Sequence, residues 1–244
     1  MKVRVLGRWG AYPKAGEATA GYLVEVGNHK LLLDCGSGVL SALQKFIALN
    51  EVTTVFLSHQ HHDHMADLGC LQYACLIDSD LKLRDKSLRL LLAEEVEEAW
   101  SVPTMKGTQP IGVNESETVS FEDGTKLSFF KTNHDAYCLG VRIEAEGKVL
   151  VYTADSRYEE SLIPHLKDAD LLITEASFYA SFDAGQYGHM NSHEAGKLAS
   201  AAGVKTLLLS HLPHFGEIQT LKEEAAAMFT GEILLADFGM QIEL

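Results

Sequence analysis

The sequence predicts an α/β fold. Apolar runs of strand length alternate with segments whose apolar residues recur at helical spacing, and turns rich in Gly, Asn or Asp separate them. Several predicted strands end in a polar side chain: Asp34, His59, His134, Asp155, Glu175 and His211. In α/β folds, ligand-binding groups collect beyond the carboxyl ends of strands. We therefore expect these polar residues to share one site.

The first half of the chain predicts five strands and three helices. The strands are 3–6, 21–26, 30–33, 54–57 and 88–92, and the helices are 39–48, 68–77 and 94–100. A Gly27-Asn28 turn separates the second and third strands. Leu40, Leu43 and Ile47 give the first helix its apolar spacing, and four glutamates mark the third as a solvated helix.

The second half predicts seven strands and two helices. The strands are 118–121, 126–130, 137–144, 148–152, 171–174, 206–209 and 233–236, and the helices are 192–202 and 221–228. Ser192 is the expected N-cap of the first of these helices, and 233–236 is the expected last strand. Because no linker or low-complexity tract interrupts the pattern, we predict a single domain over residues 1–244.

Composition restricts the possible classes of function. The formal net charge is −14, which weighs against extensive contacts with the backbone of a long nucleic acid. The N-terminal segment has no signal-peptide pattern, and no apolar run approaches the roughly 20 residues needed to span a bilayer. Four cysteines are scattered without a CxxC pair, as in reduced proteins. We therefore expect a cytoplasmic protein that does not contact a membrane.

The densest chemical feature is the stretch from Ser58 to His64, which reads Ser-His-Gln-His-His-Asp-His. Four of the eleven histidines of the chain fall here, with an aspartate among them. Imidazoles beside a carboxylate are the ligands that zinc and similar divalent ions prefer. The alternative, a polar strand end, does not require this density of histidines.

The spacing divides the candidate ligands between two ions. The candidates are His59, His61, Asp63, His64, His134, Asp155 and His211. The first two stand two positions apart and can converge on one ion, whereas Asp63 and His64 face a second. His134 and His211, at later strand ends, supply further ligands, and Asp155 can bridge the ions through its two oxygens. Positions then stay open for water, as catalytic metal sites require.

The motif from His59 to His64, followed in order by His134, Asp155 and His211, resembles the metallo-β-lactamase superfamily over essentially the whole chain. The resemblance implies a four-layer αβ/βα sandwich, in which two mixed β-sheets are flanked by helices. Asp34-Cys35-Gly36 resembles the strand-end segment of this family, whose aspartate orients a ligand histidine.

Within the superfamily, three segments resemble the tRNase Z (ElaC-like) branch and its phosphodiesterase relatives. They are Asp155-Ser156-Arg157, Glu175-Ala176-Ser177-Phe178 and Gly188-His189-Met190-Asn191-Ser192. In that branch, a histidine paired with the glutamate contacts the scissile phosphate. The resemblance therefore assigns catalytic roles to His189 and Glu175.

The chain departs from that branch in one respect. Enzymes that process tRNA insert a long arm between the third metal histidine and the bridging aspartate, whereas a hairpin fills the interval from His134 to Asp155 here. Together with the acidic composition, this argues against processing of tRNA 3′ ends and leaves phosphodiester chemistry in place.

The resemblance implies hydrolysis of a phosphodiester by a hydroxide that two metal ions share. Asp63 binds metal and accepts a hydrogen bond from the nucleophile, and His189, oriented by Glu175, stabilises charge or protonates the leaving oxygen. Zinc is the expected metal, with manganese or iron as alternatives. The expected substrate is a small phosphodiester or RNA, and the branch often forms homodimers.

Two other functions compete with this interpretation. The first is hydrolysis of another ester, a thioester or a lactone on the same metal site. The second is a non-catalytic binding protein on the same fold, against which the complete ligand set argues.

Overall fold

The computed structural model describes residues 1–94 and 102–244, which divide into two compact units. The first unit comprises Met1–Val113 with Phe238–Glu243, and the second comprises Asn114–Asp237 with Leu244. Each unit contains one β-sheet. The helix expected at 94–100 lies outside the described residues, apart from its first position. The single-domain organisation of residues 1–244 stays a prediction.

The described residues form fourteen strands and six α-helices. The strands are β1 (Lys2–Gly7), β2 (Gly21–Val26), β3 (His29–Leu33), β4 (Thr54–Leu57), β5 (Leu88–Ala93), β6 (Thr108–Val113), β7 (Thr118–Ser120), β8 (Lys126–Lys131), β9 (Leu139–Ala145), β10 (Lys148–Tyr152), β11 (Leu171–Glu175), β12 (Thr206–Ser210), β13 (Glu232–Leu235) and β14 (Gln241–Glu243). The helices are α1 (Val39–Leu43), α2 (His62–Met65), α3 (Leu68–Asp80), α4 (Ile163–Leu166), α5 (Ser192–Ala202) and α6 (Ile218–Ala226).

The sheet of the first unit has the order β14-β1-β2-β3-β4-β5-β6. Its strands pair antiparallel from β14 to β3 and parallel from β3 to β6. All four residues of β4 are buried, as expected for a parallel strand that is covered on both faces. Since β3 and β4 run in the same direction, the residues that follow them, Asp34 and Ser58, emerge at the same edge.

The sheet of the second unit has the order β13-β12-β11-β10-β9-β8-β7. Its strands pair antiparallel from β7 to β10 and parallel from β10 to β13. The carboxyl ends of β10, β11 and β12 therefore lie at one edge, where Asp155, Glu175 and His211 are found. Two mixed sheets flanked by helices confirm the predicted fold class.

Four sequence-based expectations were incomplete or wrong. Helix α1 ends at Leu43 rather than at 48, because the amides of Lys45 and Phe46 bond to carbonyls three residues back instead of four. Strand β6 was not predicted, since Pro110 interrupts its pattern, and it lies at a sheet edge where proline is tolerated. Strand β14, not 233–236, is the last strand. The N-cap of α5 is Asn191 rather than Ser192.

Within residues 1–94 and 102–244, no helix is both long and apolar enough to cross a membrane.

Candidate metal centre

Bends at strand ends present the candidate ligands. Three residues with left-handed backbone follow strands of the parallel runs: Asp34 (φ 57°), Ala154 (φ 56°) and His211 (φ 50°). A non-glycine residue in this conformation costs about 1–3 kcal/mol and persists where its surroundings hold it. The strain therefore marks positions at which the fold fixes the direction of a functional side chain.

The first unit brings together four of the predicted ligands. The rings of His59 and His61 have centroids 4.6 Å apart and meet edge to face, and the His59 and His64 centroids are 4.2 Å apart. His64 Nε2 lies 3.6 Å from Asp63 Oδ2. His59 and His64 are fully buried, whereas His61 is exposed. His62, which the motif leaves out as a ligand, is also exposed.

The buried carboxylate of Asp34 holds two of these imidazoles. It accepts hydrogen bonds from the Ser58 amide (2.8 Å) and the Ser58 hydroxyl (2.9 Å), and its Oδ2 lies 2.7 Å from His64 Nδ1. Because the Ser58 hydroxyl donates to Asp34, its oxygen can accept from His59 Nδ1, 3.0 Å away. Asp34 therefore orients His64 directly and His59 through Ser58, as the family resemblance implied for this aspartate.

The strand-end segment that carries Asp34 packs closely on the turn that carries Asp63. The Cys35 amide donates to His64 O at 2.8 Å. A Cβ at Gly36 would lie 2.0 Å from Asp63 O, so only glycine fits there. Burial, with the charges of Asp67 and Asp34, raises the pKa of the Cys35 thiol well above its ordinary value. Cys35 is thus a neutral packing residue beside the ligands.

A loop between β1 and β2 holds the side chain of Asp63. The Ala11 amide donates to Asp63 Oδ2 at 2.8 Å, and Ala11 itself has left-handed backbone (φ 59°). The bond fixes one carboxylate oxygen of Asp63. The sequence around Ala11 does not predict this contact, because the contact depends on how the folded chain brings Ala11 and Asp63 together.

The second unit brings together the remaining three predicted ligands. Asp155 Oδ2 lies 3.4 Å from His211 Nε2 and 3.9 Å from His134 Nε2. The side chains of all three are almost completely buried. The oxygen of one aspartate therefore faces two imidazole nitrogens, which is the arrangement expected of a carboxylate that serves more than one ion.

Glu175, the last residue of β11, supports imidazoles in the second unit as Asp34 does in the first. Its carboxylate accepts from the Ser156 amide (2.7 Å) and the Ser177 hydroxyl (2.6 Å), and both its oxygens lie 3.1 Å from His189 Nδ1. The Ser177 oxygen is in turn 2.8 Å from His211 Nδ1. Glu175 orients His189 directly and His211 through Ser177.

His134 is held by a main-chain carbonyl. Its Nδ1 lies 2.9 Å from Gly188 O, and Gly188 has left-handed backbone (φ 81°) with space for no side chain, since a Cβ would be 2.9 Å from the same nitrogen. Arg157 fixes this loop by donating from Nε to Gly185 O and from Nη2 to Asp135 Oδ1. The hydrogen bond from Arg157 lowers the pKa of Asp135.

These contacts determine which nitrogen each imidazole presents. Four predicted ligands have Nδ1 next to an acceptor, so we assign the proton to Nδ1 and the lone pair to Nε2. They are His59, His64, His134 and His211. Neutral imidazoles with an available Nε2, together with aspartate oxygens, form a donor set that fits zinc or a similar divalent ion.

His189 stands apart from the predicted ligand set and yet lies beside it. Its ring centroid is 5.2 Å from that of His134 and 5.4 Å from that of His211. Asp155, His189 and His211 each offer a ligand atom within 4.8 Å of the others. His189 Nδ1 is nevertheless closer to Glu175, at 3.1 Å, than to Asp155 Oδ2, at 3.9 Å. The geometry thus favours a histidine held by Glu175.

The sequence predicts Asp34 and Glu175 as supports of histidines, but four further supports were not predicted. The hydroxyls of Ser58 and Ser177, the carbonyl of Gly188 and the amide of Ala11 had no assigned role. Ser-His pairs stand at the ends of both β4 (Ser58-His59) and β12 (Ser210-His211). Only Ser58 contacts the imidazole that follows it, because the hydroxyl beside His211 Nδ1 belongs to Ser177, after β11. A carbonyl or amide carries no sequence signal of its own.

The fold and its histidine- and aspartate-rich strand ends define a class of metal-dependent hydrolase. The model of the "Beta-lactamase superfamily domain" matches residues 29–212, a range that includes every predicted ligand, and the chain belongs to this superfamily. The predicted resemblance to the tRNase Z-like branch is confirmed, since ribonuclease Z proteins are among the curated relatives. The protein is a metallo-hydrolase of this superfamily.

Individual relatives match over nearly their whole length. The chain is 43% identical to the probable metallo-hydrolase YhfI of Bacillus subtilis (strain 168), with 98% of each chain covered. The crystal structure of the metallo-β-lactamase fold protein YhfI superposes with a TM-score of 0.95 at 41% identity, covering 100% and 99% of the two chains. Ribonuclease Z of Halorubrum lacusprofundi is 26% identical over 100% of this chain and 97% of its own.

Proposed function

We propose that the protein is a binuclear metal-dependent phosphodiesterase that acts on a small phosphodiester. The ligands are those inferred from the sequence: His59, His61, Asp63, His64, His134, Asp155 and His211. Two divalent ions bound by them would activate water and neutralise charge on a phosphate. Zinc is the proposed ion because imidazole donors predominate, with manganese or iron as the alternatives.

The observation that carries the proposal is the His189–Glu175 pair. His189 lies against His134 and His211, and both oxygens of Glu175 face its Nδ1. Glu175 is buried, and its contacts with Ser156 and Ser177 hold it in place. An imidazole fixed in this way directs Nε2 away from Glu175, where it can contact a phosphate oxygen or donate a proton to a leaving group.

Asp63 has a second proposed role besides metal binding. The Ala11 amide holds its Oδ2 at 2.8 Å, which fixes the orientation of the carboxylate. A fixed carboxylate beside the ligand histidines can accept a hydrogen bond from the attacking water. This role places Asp63 among the catalytic residues, with His189 and Glu175.

RNA processing by a tRNase Z-type mechanism is the less favoured form of the proposal. Strands β9 and β10 form an antiparallel hairpin that occupies the interval between His134 and Asp155. No inserted arm is present there, and the net charge of −14 is unfavourable for contacts with a long polyanion. A small phosphodiester requires neither an inserted arm nor cationic contacts along a long backbone.

The test is hydrolysis of bis-p-nitrophenyl phosphate by Asp63→Ala. We expect turnover to fall by about 10²–10⁴-fold, because the loss removes a group that handles the proton of the nucleophile. The control is His62→Ala, which removes an exposed imidazole from the same helical turn. Turnover by Asp63→Ala near that of the control would contradict the assignment.

A substrate panel separates the competing functions. Bis-p-nitrophenyl phosphate, cyclic nucleotides, precursor tRNA, a lactone and a thioester are each assayed with zinc and with manganese. Preference for the phosphodiesters supports the proposal, whereas preference for the lactone or thioester would replace it. Metal binding without hydrolysis of any member would indicate a binding protein.

A further inference from the structure

A cluster of aromatic side chains is exposed on the second unit. We define the aromatic platform as Phe178, Phe182, Tyr187 and Phe215. Phe182 is 45% exposed, Phe215 44% and Tyr187 54%. Scattered exposed aromatic residues are common, but a contiguous group marks a surface that contacts a ligand or a partner. Two loops that follow β11 and β12 supply all four rings.

The rings of the platform contact one another. Phe178 is stacked with Tyr187 at a centroid distance of 5.3 Å and an interplanar angle of 14°. Phe182 packs against Phe178 at 6.0 Å and against Phe215 at 5.5 Å. Since the Tyr179 hydroxyl donates to the main-chain carbonyl of Phe215 at 2.8 Å, the second loop is fixed beside the first. The platform is therefore a defined surface and not a set of independent side chains.

The platform adjoins the proposed catalytic histidine. The ring centroid of Phe178 is 6.2 Å from that of His189, whose own centroid is 5.4 Å from that of His211. The aromatic surface thus begins beside the group that would contact the phosphate. A substituent on a phosphate bound at His189 would therefore lie next to the platform.

The charge around the platform selects among possible occupants. The two loops, 178–191 and 211–217, contain no lysine or arginine, and they carry the carboxylates of Asp183 and Glu217. Arg157, which contacts the first loop at Gly185 O, also donates to the Asp135 carboxylate. A long nucleic acid needs cationic side chains along its backbone, whereas one base can stack on an aromatic face without them. The surface fits a single ring better than a polynucleotide.

We propose that the aromatic platform stacks on the nucleobase of a small nucleotide-containing phosphodiester. The inference rests on the proposed phosphodiesterase function and adds the class of substrate. Stacking on an aromatic side chain is sequence-tolerant, because every base has a π-face. The platform therefore holds the base while His189 and the metal ligands act on the phosphate attached to it.

The test compares the binding of adenosine 5′-monophosphate and ribose 5-phosphate to the zinc-loaded protein by calorimetry. The two ligands share phosphate and sugar and differ only in the base. We expect the nucleotide to bind at least roughly tenfold more tightly, which corresponds to 1.4 kcal/mol and lies within the range measured for stacking of one base. The double variant Phe182→Ala/Phe215→Ala should lose most of this preference and keep its affinity for ribose 5-phosphate.

The control is Tyr73→Ala, which removes an aromatic ring of similar exposure (61%) from α3 in the first unit. It should keep the full preference for the nucleotide. Equal binding of both ligands by the unsubstituted protein would overturn the proposal, as would a preference that survives the double variant. A dimer that dissociates in the double variant, with unchanged base preference, would assign the platform to a second copy of the chain. Turnover of bis-p-nitrophenyl phosphate, measured in parallel, tests the proposed function separately.

Discussion

At the scale of single residues, four of the histidines at the candidate site are supported by two buried carboxylates or by a main-chain carbonyl. Asp34 and Glu175 each contact one imidazole directly and reach a second through a serine hydroxyl. Both hydroxyls donate to the carboxylate and accept from the imidazole, which fixes the tautomer as well as the ring orientation. The predicted ligands are thus preorganised by residues that do not bind metal.

The first residue-scale prediction concerns Asp34→Asn. An amide cannot accept all the hydrogen bonds that this carboxylate receives, so His64 and His59 lose their orientation. We expect zinc affinity to fall by about 10–100-fold, measured by competition with a chromophoric chelator. Asp85→Asn makes the same charge change at an exposed position and should bind zinc normally. Equal affinity in the two variants would show that Asp34 does not support the ligands.

The second prediction separates His189 from the metal ligands. His189→Ala should retain its bound zinc by elemental analysis and lose about 10²–10⁴-fold in turnover, because it removes an acid and not a ligand. His211→Ala should lose metal and activity together. Loss of metal from His189→Ala, to the extent seen in His211→Ala, would instead make His189 a ligand.

Residue identities at the site were predictable where the side chain itself carries the chemistry. The type and spacing of His59, His61 and Asp63 predict a metal site. The position of Asp34 directly after an apolar strand indicates the same site. Ala11 and Gly188 contribute only an amide and a carbonyl, which every residue possesses. Their roles arise from the folded path of the chain.

At the scale of elements, the N-terminus of α5 is closed by a capping box. The Asn191 side chain accepts from the Glu194 amide at 3.0 Å, and the Glu194 carboxylate accepts from the Asn191 amide at 2.9 Å. This helix follows the loop that carries His189, so its capped start fixes where that loop ends. Asn191→Ala should cost about 1 kcal/mol of unfolding free energy.

The next prediction concerns the pH dependence of stability and uses Glu194→Gln in α5. Burial, with the charges of Glu175 and Asp183, raises the pKa of Glu194 in the folded protein. The folded state therefore binds more protons than the unfolded state above the ordinary pKa of 4.5, and stability falls as pH rises through the folded pKa. Glutamine keeps the cap without the charge, so the variant should be more stable at pH 7.5.

This advantage of Glu194→Gln should shrink as the pH approaches 4.5, where Glu194 is itself protonated in the folded state. Chemical denaturation at several pH values measures it. Glu223→Gln, an equal charge change on the exposed face of α6, provides the control. If both variants gained the same unfolding free energy, or if the gain did not change with pH, the charge of Glu194 would not be its cause.

Elements were predictable where local pattern and tertiary structure agree. The strands from β2 to β4 and from β8 to β12 follow continuous or alternating apolar runs bounded by turn residues. Strand β14 has only three residues and exists because it pairs with β1. That pairing is remote in sequence, and periodicity does not encode it. Helix α1 ends at Leu43 although the apolar spacing continues to Ile47.

At the scale of the whole molecule, bound metal should contribute to stability. A ligand that binds only the folded state stabilises it by about 2.7 kcal/mol when its free concentration is 100 times its Kd. For a chain of this length, each 1 kcal/mol shifts Tm by roughly 2–4 °C. Removal of metal with a chelator should lower Tm by several degrees, and added zinc should restore it. A Tm unaffected by chelation would contradict tight metal binding.

The two carboxylate–serine–histidine devices have an evolutionary consequence. Asp34, Ser58 and His59 belong entirely to one sheet and its loops, and Glu175, Ser177 and His211 entirely to the other. A mutation in one device leaves the scaffold of the other intact. A descendant lineage can thus change the support of the predicted ligands on one sheet while it inherits the support on the other sheet unchanged. Diversification of metal preference within such a lineage can proceed one sheet at a time.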